Sequence, residues 1–293
     1  MVRVSPHLEL VRSHLNTLFY AWPAFIGMMA AAKAFPPVLL VIRASVAMLA
    51  IALAVYVYND ISDVELDRIS AAGGNPRHEN RPLVTGRASM SDAKVLVAVL
   101  TVIGLGLGFL VNVQFVFLLS LFLMLGIVYS TPPVHLKERF LLKQLTIASG
   151  QAIASLAGGA AVGLISKPVV YATALFFTLT FGVVPINDLS DIRADRQVGR
   201  KTMPIVIGPK TTIKIAMAVV TSALLVSVLS YGWLGFNFAF PVLVGISSLL
   251  LLFSLMKISR NWNDPAYIEM IKKRVLWPVS IILQLSILVG LIS

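Results

Sequence analysis

Apolar residues run along this chain in long blocks, without the strict alternation of a half-buried strand or the narrow stripe of a surface helix. A helix that crosses a membrane needs about 20 mainly apolar residues. Blocks of that kind fall at about 15–36, 38–58, 93–112, 114–130, 141–164, 168–186, 212–231, 236–256 and 275–292. They predict an all-α, polytopic membrane protein of about nine spans in a single transmembrane domain. The connections alternate in character. Those after the first, third, fifth and seventh spans are short. The other four, roughly 59–92, 131–140, 187–211 and 257–274, are long and polar.

Composition agrees: 58% of residues are hydrophobic and 13% charged, against about 25% charged in a soluble protein. No cleavable leader is expected, since the stretch from Met1 to His14 holds Arg3, Glu9 and Arg12 and no apolar core. With no cysteine, disulfides and thiolate metal sites are excluded. The net charge of +11 would suggest nucleic acid in a soluble protein. Here its distribution has a simpler cause, and no nucleic-acid partner is expected. All Lys and Arg residues except Lys33, Arg43 and Lys167 fall on the side of the N-terminus and the long loops. By the positive-inside rule that side is cytoplasmic. Arg43 reads as a snorkelling side chain. Every Asp and Glu lies on the same side, which the rule does not require. Something at that face uses carboxylates.

Two of the long loops begin with related sequences. One is Asn59-Asp60-Ile61-Ser62-Asp63-Val64-Glu65-Leu66-Asp67-Arg68; the other is Asn187-Asp188-Leu189-Ser190-Asp191-Ile192-Arg193-Ala194-Asp195-Arg196. Pro82-Leu83-Val84-Thr85-Gly86 follows the first and Pro204-Ile205-Val206-Ile207-Gly208 the second. Four spans separate the copies, so both point the same way. This is a parallel duplication, with halves of about 15–130 and 141–256 and an added helix at 275–292.

On a helix, Asn59, Asp63 and Asp67 line one face at about 6 Å intervals, and Asn187, Asp191 and Asp195 are expected to do the same. Asp60 and Asp188 sit about 100° away. Like charges at this spacing destabilise a helix, and carboxylates at a helix end within a membrane are expensive. A divalent cation relieves both. Magnesium binds through one or two carboxylates plus substrate phosphates, so two such clusters could hold metal around one diphosphate. Arg68, Arg77, Arg81, Lys137, Arg139, Arg196 and Lys201 are candidates to neutralise the remaining charge. If the carbon bearing the diphosphate is allylic, its departure leaves a stabilised cation, which an apolar bundle would shield from water.

The motif NDxxDxxxD, twice, on nine predicted spans, resembles the UbiA superfamily of intramembrane prenyltransferases. The likeness covers essentially the whole chain. Asn59 to Asp67 fits the family pattern at every fixed position. Asp191 to Asp195 fits its looser DxxxD form, with Asn187 and Asp188 added. Arg81-Pro82 resembles the family's Arg-Pro step, and Tyr129-Ser130-Thr131-Pro132-Pro133 with Lys137 its Tyr-Ser-x-Pro-Pro segment. The stretch between Asp67 and Arg81 is longer than the usual DRxNxPxRP. Arg200-Lys201-Thr202-Met203-Pro204 with Gly208 looks more like members that make archaeal ether lipids or chlorophyll-type products.

The resemblance implies two bundles around a central cavity open to the cytoplasm, Mg2+, a prenyl diphosphate donor such as geranylgeranyl diphosphate, and an acceptor that attacks its C1. The acceptor would be a small aromatic of the 4-hydroxybenzoate kind or geranylgeranylglyceryl phosphate. Carried over, Asn59, Asp63, Asp67, Asp191 and Asp195 would bind the metal, the four aspartates being catalytic. Asn59, Asp60, Arg77, Arg81, Tyr129, Lys137, Asn187, Asp188 and Lys201 would contact substrate. Tyr58 and Tyr129 also suit an interfacial aromatic belt, His78 and His135 solvated loops. Gly104, Gly106, Gly108, Gly158 and Gly159 suit close helix packing. Two other functions fit parts of the pattern. An ion-coupled transporter would want its ionisable groups near the midplane, and a terpene cyclase of the same fold would ionise the diphosphate without an acceptor.

Overall fold

The computed structural model describes residues 5–14, 17–72, 79–197 and 199–292, and among them there are helices and turns but no strand. A short helix α1 (Pro6–Arg12) precedes α2 (Leu18–Ala32), α3 (Val38–Ala72), α4 (Met90–Phe109), α5 (Val113–Ser130), α6 (Leu142–Val162) and α7 (Lys167–Val183). After a 3-10 segment (Val184–Leu189) come α8 (Ile192–Gln197), α9 (Met203–Val206), α10 (Pro209–Leu234), α11 (Ala239–Arg260), α12 (Pro265–Ile271) and α13 (Trp277–Leu291). Among the described residues, eight helices are long and apolar enough to cross a membrane. The expected first span is the exception: α2 has 15 residues, about 22 Å at 1.5 Å per residue, short of a hydrocarbon core of about 30 Å. It stops at Lys33, which takes a left-handed conformation, just before Pro36-Pro37.

The longest helix sets up the site. From Val38 to Ala72 there is neither proline nor glycine, and Gly73-Gly74 follow. The 35 residues of α3 reach roughly 52 Å, so its C-terminal end runs well beyond the apolar core. Residues 38–58 of the helix, about 32 Å at 1.5 Å each, precede the acidic motif at Asn59. Neighbouring helices begin at defined caps. At α4 the Ser89 hydroxyl accepts from the Asp92 amide at 3.1 Å, and the Ser89 amide donates to Asp92 Oδ2 at 2.8 Å. At α5 Asn112 Oδ1 accepts from the Phe115 amide at 2.8 Å, while its Nδ2 donates to the Ala160 carbonyl, also at 2.8 Å.

Two apolar clusters fill the bundle. One joins α2, α3, α5 and α6 around Met28, Met48, Ile51, Phe115 and Leu119. The other joins α7, α10, α11 and α13 around Phe176, Ile213, Phe240, Leu255 and Leu283, with Ile26 and Ala30 from α2. Because α2 contributes to both, its crossing with α6 is central. There a Cβ on Gly158 would lie 1.9 Å from the Ala24 carbonyl oxygen, and one on Gly27 would lie 2.0 Å from that of Ser155. Only glycine permits this backbone contact, the small-residue packing typical of membrane helices. Gly104, Gly108 and Gly159 are likewise packed against neighbours, whereas Gly106 faces open space and serves no close contact.

The last polar connection is more ordered than its composition suggested. Residues 265–271 form α12, started by Pro265 and by the Asp264 carboxylate, which accepts from the Tyr267 amide at 3.0 Å. A π-helical turn, Lys272–Leu276, then leads into α13. Burial of Ile268, Ile271 and Leu276 supplies the apolar face that a count of charges overlooked.

Candidate active site

The first motif occupies one face of α3, as the spacing predicts. Ser130, the last residue of α5, donates to Asn59 Oδ1 at 2.8 Å. Lys137 Nζ, carried on a 3-10 turn (Leu136–Glu138), donates to the same oxygen at 3.2 Å and is ion-paired with Asp63. Asn59 Nδ2 donates to Asp63 Oδ2 at 3.2 Å. One turn further on, Arg81 pairs with Asp67 and, at 3.0 Å, with Asp60 Oδ1. Asp60 and Asp67 are 3% and 4% exposed. The oxygens of the motif therefore already converge on cations.

The second motif departs from its expected geometry. Asn187 and Asp188 lie in the 3-10 segment, Ser190 and Asp191 in a turn, and Asp195 in the separate helix α8. The reason is Pro185, absent from the first copy. Its missing N–H and its ring cannot continue the helix. The i, i+4, i+8 face is thus lost as one continuous surface. Its last step survives, because the Asp195 amide still donates to the Asp191 carbonyl at 2.8 Å.

Asp195 is 6% exposed, and Arg200 Nη1 lies 3.4 Å from its Oδ1. Burial raises its carboxyl above the usual range. Arg200 and Lys143 oppose that shift, and nearby Asp191 adds to it. Asp188 is within electrostatic range of Lys143, Asp195, Asp191 and Lys272. Lys272 is 5% exposed. It donates to Ser190 Oγ at 3.1 Å and pairs with Glu269, whose Oε1 in turn accepts from Ser190 at 2.9 Å.

Tyr129 locates the two motifs relative to each other. It feels the charges of Asp63 from one motif, and of Asp188 and Arg200 from the other. Both motifs therefore come within range of one side chain near the end of α5. Among the other sequence candidates, Lys201 and Arg196 are exposed, Arg68 pairs with exposed Glu65 at 2.8 Å, and Arg139 donates to the Pro133 carbonyl at 3.2 Å. Arg77 and His78 lie outside the described residues.

Sequence reasoning missed Lys143, Lys272, Glu269 and His14. Lys143 sits in the first turn of a span, Glu269 and Lys272 in a stretch taken for loop, and His14 before the first apolar block; none carries a motif.

The donor set suits magnesium. It is all oxygen, and in the first motif protein cations already occupy the places where those oxygens meet. Among the described residues no three carboxylate or imidazole groups stand close enough to hold an ion unaided. Magnesium commonly takes only one or two carboxylates and completes its shell with substrate phosphates and water.

These features define a class: a polytopic α-helical membrane protein with paired acidic motifs, both within electrostatic range of Tyr129. Residues 20–272 match the UbiA prenyltransferase family, and the chain belongs to that family. It is a membrane-embedded prenyltransferase. It is 30% identical over 264 residues to a digeranylgeranylglyceryl phosphate synthase of Sulfurisphaera tokodaii, covering 88% of each chain. It is 31% identical over 268 residues to the synthase of that name from Sulfolobus acidocaldarius, covering 90% of each. A bacteriochlorophyll synthase 34 kDa chain of Chloroflexus aurantiacus is 27% identical over 71% of this chain and 64% of its own. Solved structures share the fold. A digeranylgeranylglyceryl phosphate synthase gives a TM-score of 0.79 at 23% identity, with 100% of this chain and 99% of that one covered. A UbiA homologue from Archaeoglobus fulgidus bound to GPP and Mg2+ gives 0.72 at 19% identity, with 98% of each covered.

Proposed function

We propose that this enzyme moves a geranylgeranyl group from its diphosphate to geranylgeranylglyceryl phosphate, in ether-lipid synthesis at the cytoplasmic face of a cell membrane. The observation that carries the reading is that Tyr129 lies within electrostatic range of Asp63 in the first motif and of Asp188 in the second. It supports one diphosphate shared by both motifs. The glycerol-ether acceptor is supported by the names of the Sulfurisphaera and Sulfolobus relatives and by the segment from Arg200 to Gly208. The cytoplasmic side rests on the distribution of Lys and Arg. In this reading 15–130 and 141–256 are duplicated halves that contribute one motif each, and 275–292 is the added helix.

Asn59, Asp63 and Asp67 on one side, and Asp191 and Asp195 on the other, would hold Mg2+ with the diphosphate. The bound metal supplies Lewis acidity, spreading the negative charge that grows on the departing oxygens. Lys137, paired with Asp63 and Asn59 in the resting site, would turn its ammonium to the phosphate when the donor binds. Arg81, whose side chain is partly exposed, offers its guanidinium to the same group. Lys143 and Lys272 balance charge around the second motif. The C1–O bond of the donor breaks and its electron pair leaves with the diphosphate. The acceptor hydroxyl oxygen forms the new C1–O bond, and its proton passes to the departing diphosphate. The products are the prenyl ether and pyrophosphate. The apolar bundle keeps water from the allylic centre.

The test is an acceptor panel with labelled geranylgeranyl diphosphate and Mg2+: geranylgeranylglyceryl phosphate, 4-hydroxybenzoate and a dihydroxynaphthoate. Labelled diether phosphate from the first alone is expected. Product only from an aromatic acceptor overturns the acceptor assignment, and pyrophosphate release without any acceptor indicates a cyclase.

A further inference from the structure

Asp60 does not lie on the motif face, yet it is more buried than Asp63, and both its oxygens have partners. Oδ2 lies 2.6 Å from His14 Nε2, and Oδ1 accepts from Arg81 Nη1 at 3.0 Å. The same guanidinium nitrogen reaches Asp67. A chain of contacts thus runs from His14 through Asp60 and Arg81 to Asp67. His14 is 8% exposed, and its ring lies 5.4 Å, centroid to centroid, from that of Tyr56. It follows α1, whose Leu10 is buried with Val57, Val64, Leu83 and Leu96. Glu9 of α1 pairs at 3.0 Å with Arg87, in the same loop as Arg81.

We propose that His14 is a positioning residue for the diphosphate site. Its Nε2–H fixes Asp60, and the fixed carboxylate holds Arg81 beside Asp67, in place to receive phosphate. The inference rests on the functional reading above. Nε2 carries a proton in the imidazolium and in one neutral tautomer, so the contact needs no change of charge. Without it a nearly buried carboxylate keeps Arg81 as its remaining side-chain partner among the described residues. Asp60 then turns, and Arg81 is drawn toward it and away from Asp67. Losing one hydrogen bond to a buried charged group is worth about tenfold or more in an equilibrium constant.

The test compares His14→Phe, which keeps a ring against Tyr56 but removes the donor, with His14→Gln, which returns an N–H near the place of Nε2. Full-length protein in lipid nanodiscs is used. One measurement is Mg2+-dependent binding of geranylgeranyl thiolodiphosphate, a slowly ionising donor analogue. The other is amide exchange, without ligand, at Val84, Thr85 and Ala88, whose N–H groups close the turn after Arg81. His14→Phe is expected to weaken binding about tenfold and to speed exchange in that turn. His14→Gln is expected to restore both to within about threefold. Wild-type behaviour of His14→Phe overturns the proposal. So does a defect in His14→Gln as large as that of His14→Phe, or weaker binding with unchanged exchange. If wild-type protein does not bind the analogue while His14→Phe still speeds exchange, the donor reading fails and the positioning role stands.

Discussion

Replacing Lys137 by methionine separates a phosphate-binding cation from a merely structural one. In the resting site its ammonium pairs with Asp63 and donates to Asn59 Oδ1 at 3.2 Å. Methionine preserves most of the chain's volume and removes the charge. Asp63 keeps the amide donor of Asn59 at 3.2 Å, and its side chain is 17% exposed, so water takes up part of the lost contact. The stability cost is about 1 kcal/mol. The effect on catalysis is expected to be larger. A charge-assisted hydrogen bond to a phosphate that loses its ester bond contributes about 1.5–3 kcal/mol. That corresponds to a fall of roughly 10- to 150-fold in kcat/KM for the donor. Steady-state rates of pyrophosphate release at saturating acceptor, beside a melting curve in detergent, separate the two effects. Unchanged kcat/KM would refute the idea that Lys137 moves from carboxylate to phosphate. A fall in kcat/KM that only tracks lost folded protein would refute it equally.

Other consequences follow from the same geometry. Removing divalent cations with EDTA should abolish turnover and adding Mg2+ should restore it; turnover that survives chelation would contradict the assigned metal chemistry. Glu65→Gln and Arg68→Gln should each change kcat/KM by less than about twofold, because this pair is exposed and such pairs contribute little; Asp63→Asn should lower kcat by about a thousandfold. Similar rates for the three variants would place the motif elsewhere. Gly158→Val should destabilise the protein by about 3 kcal/mol by pushing α6 off the Ala24 carbonyl. An unchanged melting temperature would show that the α2–α6 contact does not bear on stability.

Much of this organisation could be read from the residues, because membrane helices follow from block hydrophobicity alone and the doubled motif is local in sequence. The position of Lys137 was legible through the Tyr129-Ser130-Thr131-Pro132-Pro133 segment, and that of Arg81 through its Pro82 neighbour. What escaped was set by single residues or by packing. Pro185 breaks the second motif's helix, so two decapeptides identical at six of ten positions adopt different backbones. Asp264 and Pro265 start a helix inside a stretch whose charges suggested loop, and that helix brings Glu269 and Lys272 to Ser190. His14 lies 46 residues from the aspartate it contacts, a separation that no local pattern encodes.

The central claim is that both motifs hold one diphosphate, and donor binding tests it most directly. Affinity for geranylgeranyl thiolodiphosphate is measured with and without Mg2+ in the wild type, Asp63→Asn and Asp191→Asn. The shared site predicts that each substitution alone removes most of the Mg2+-dependent affinity, by about a hundredfold or more. If either variant binds the analogue as tightly as the wild type, the two motifs do not share the diphosphate.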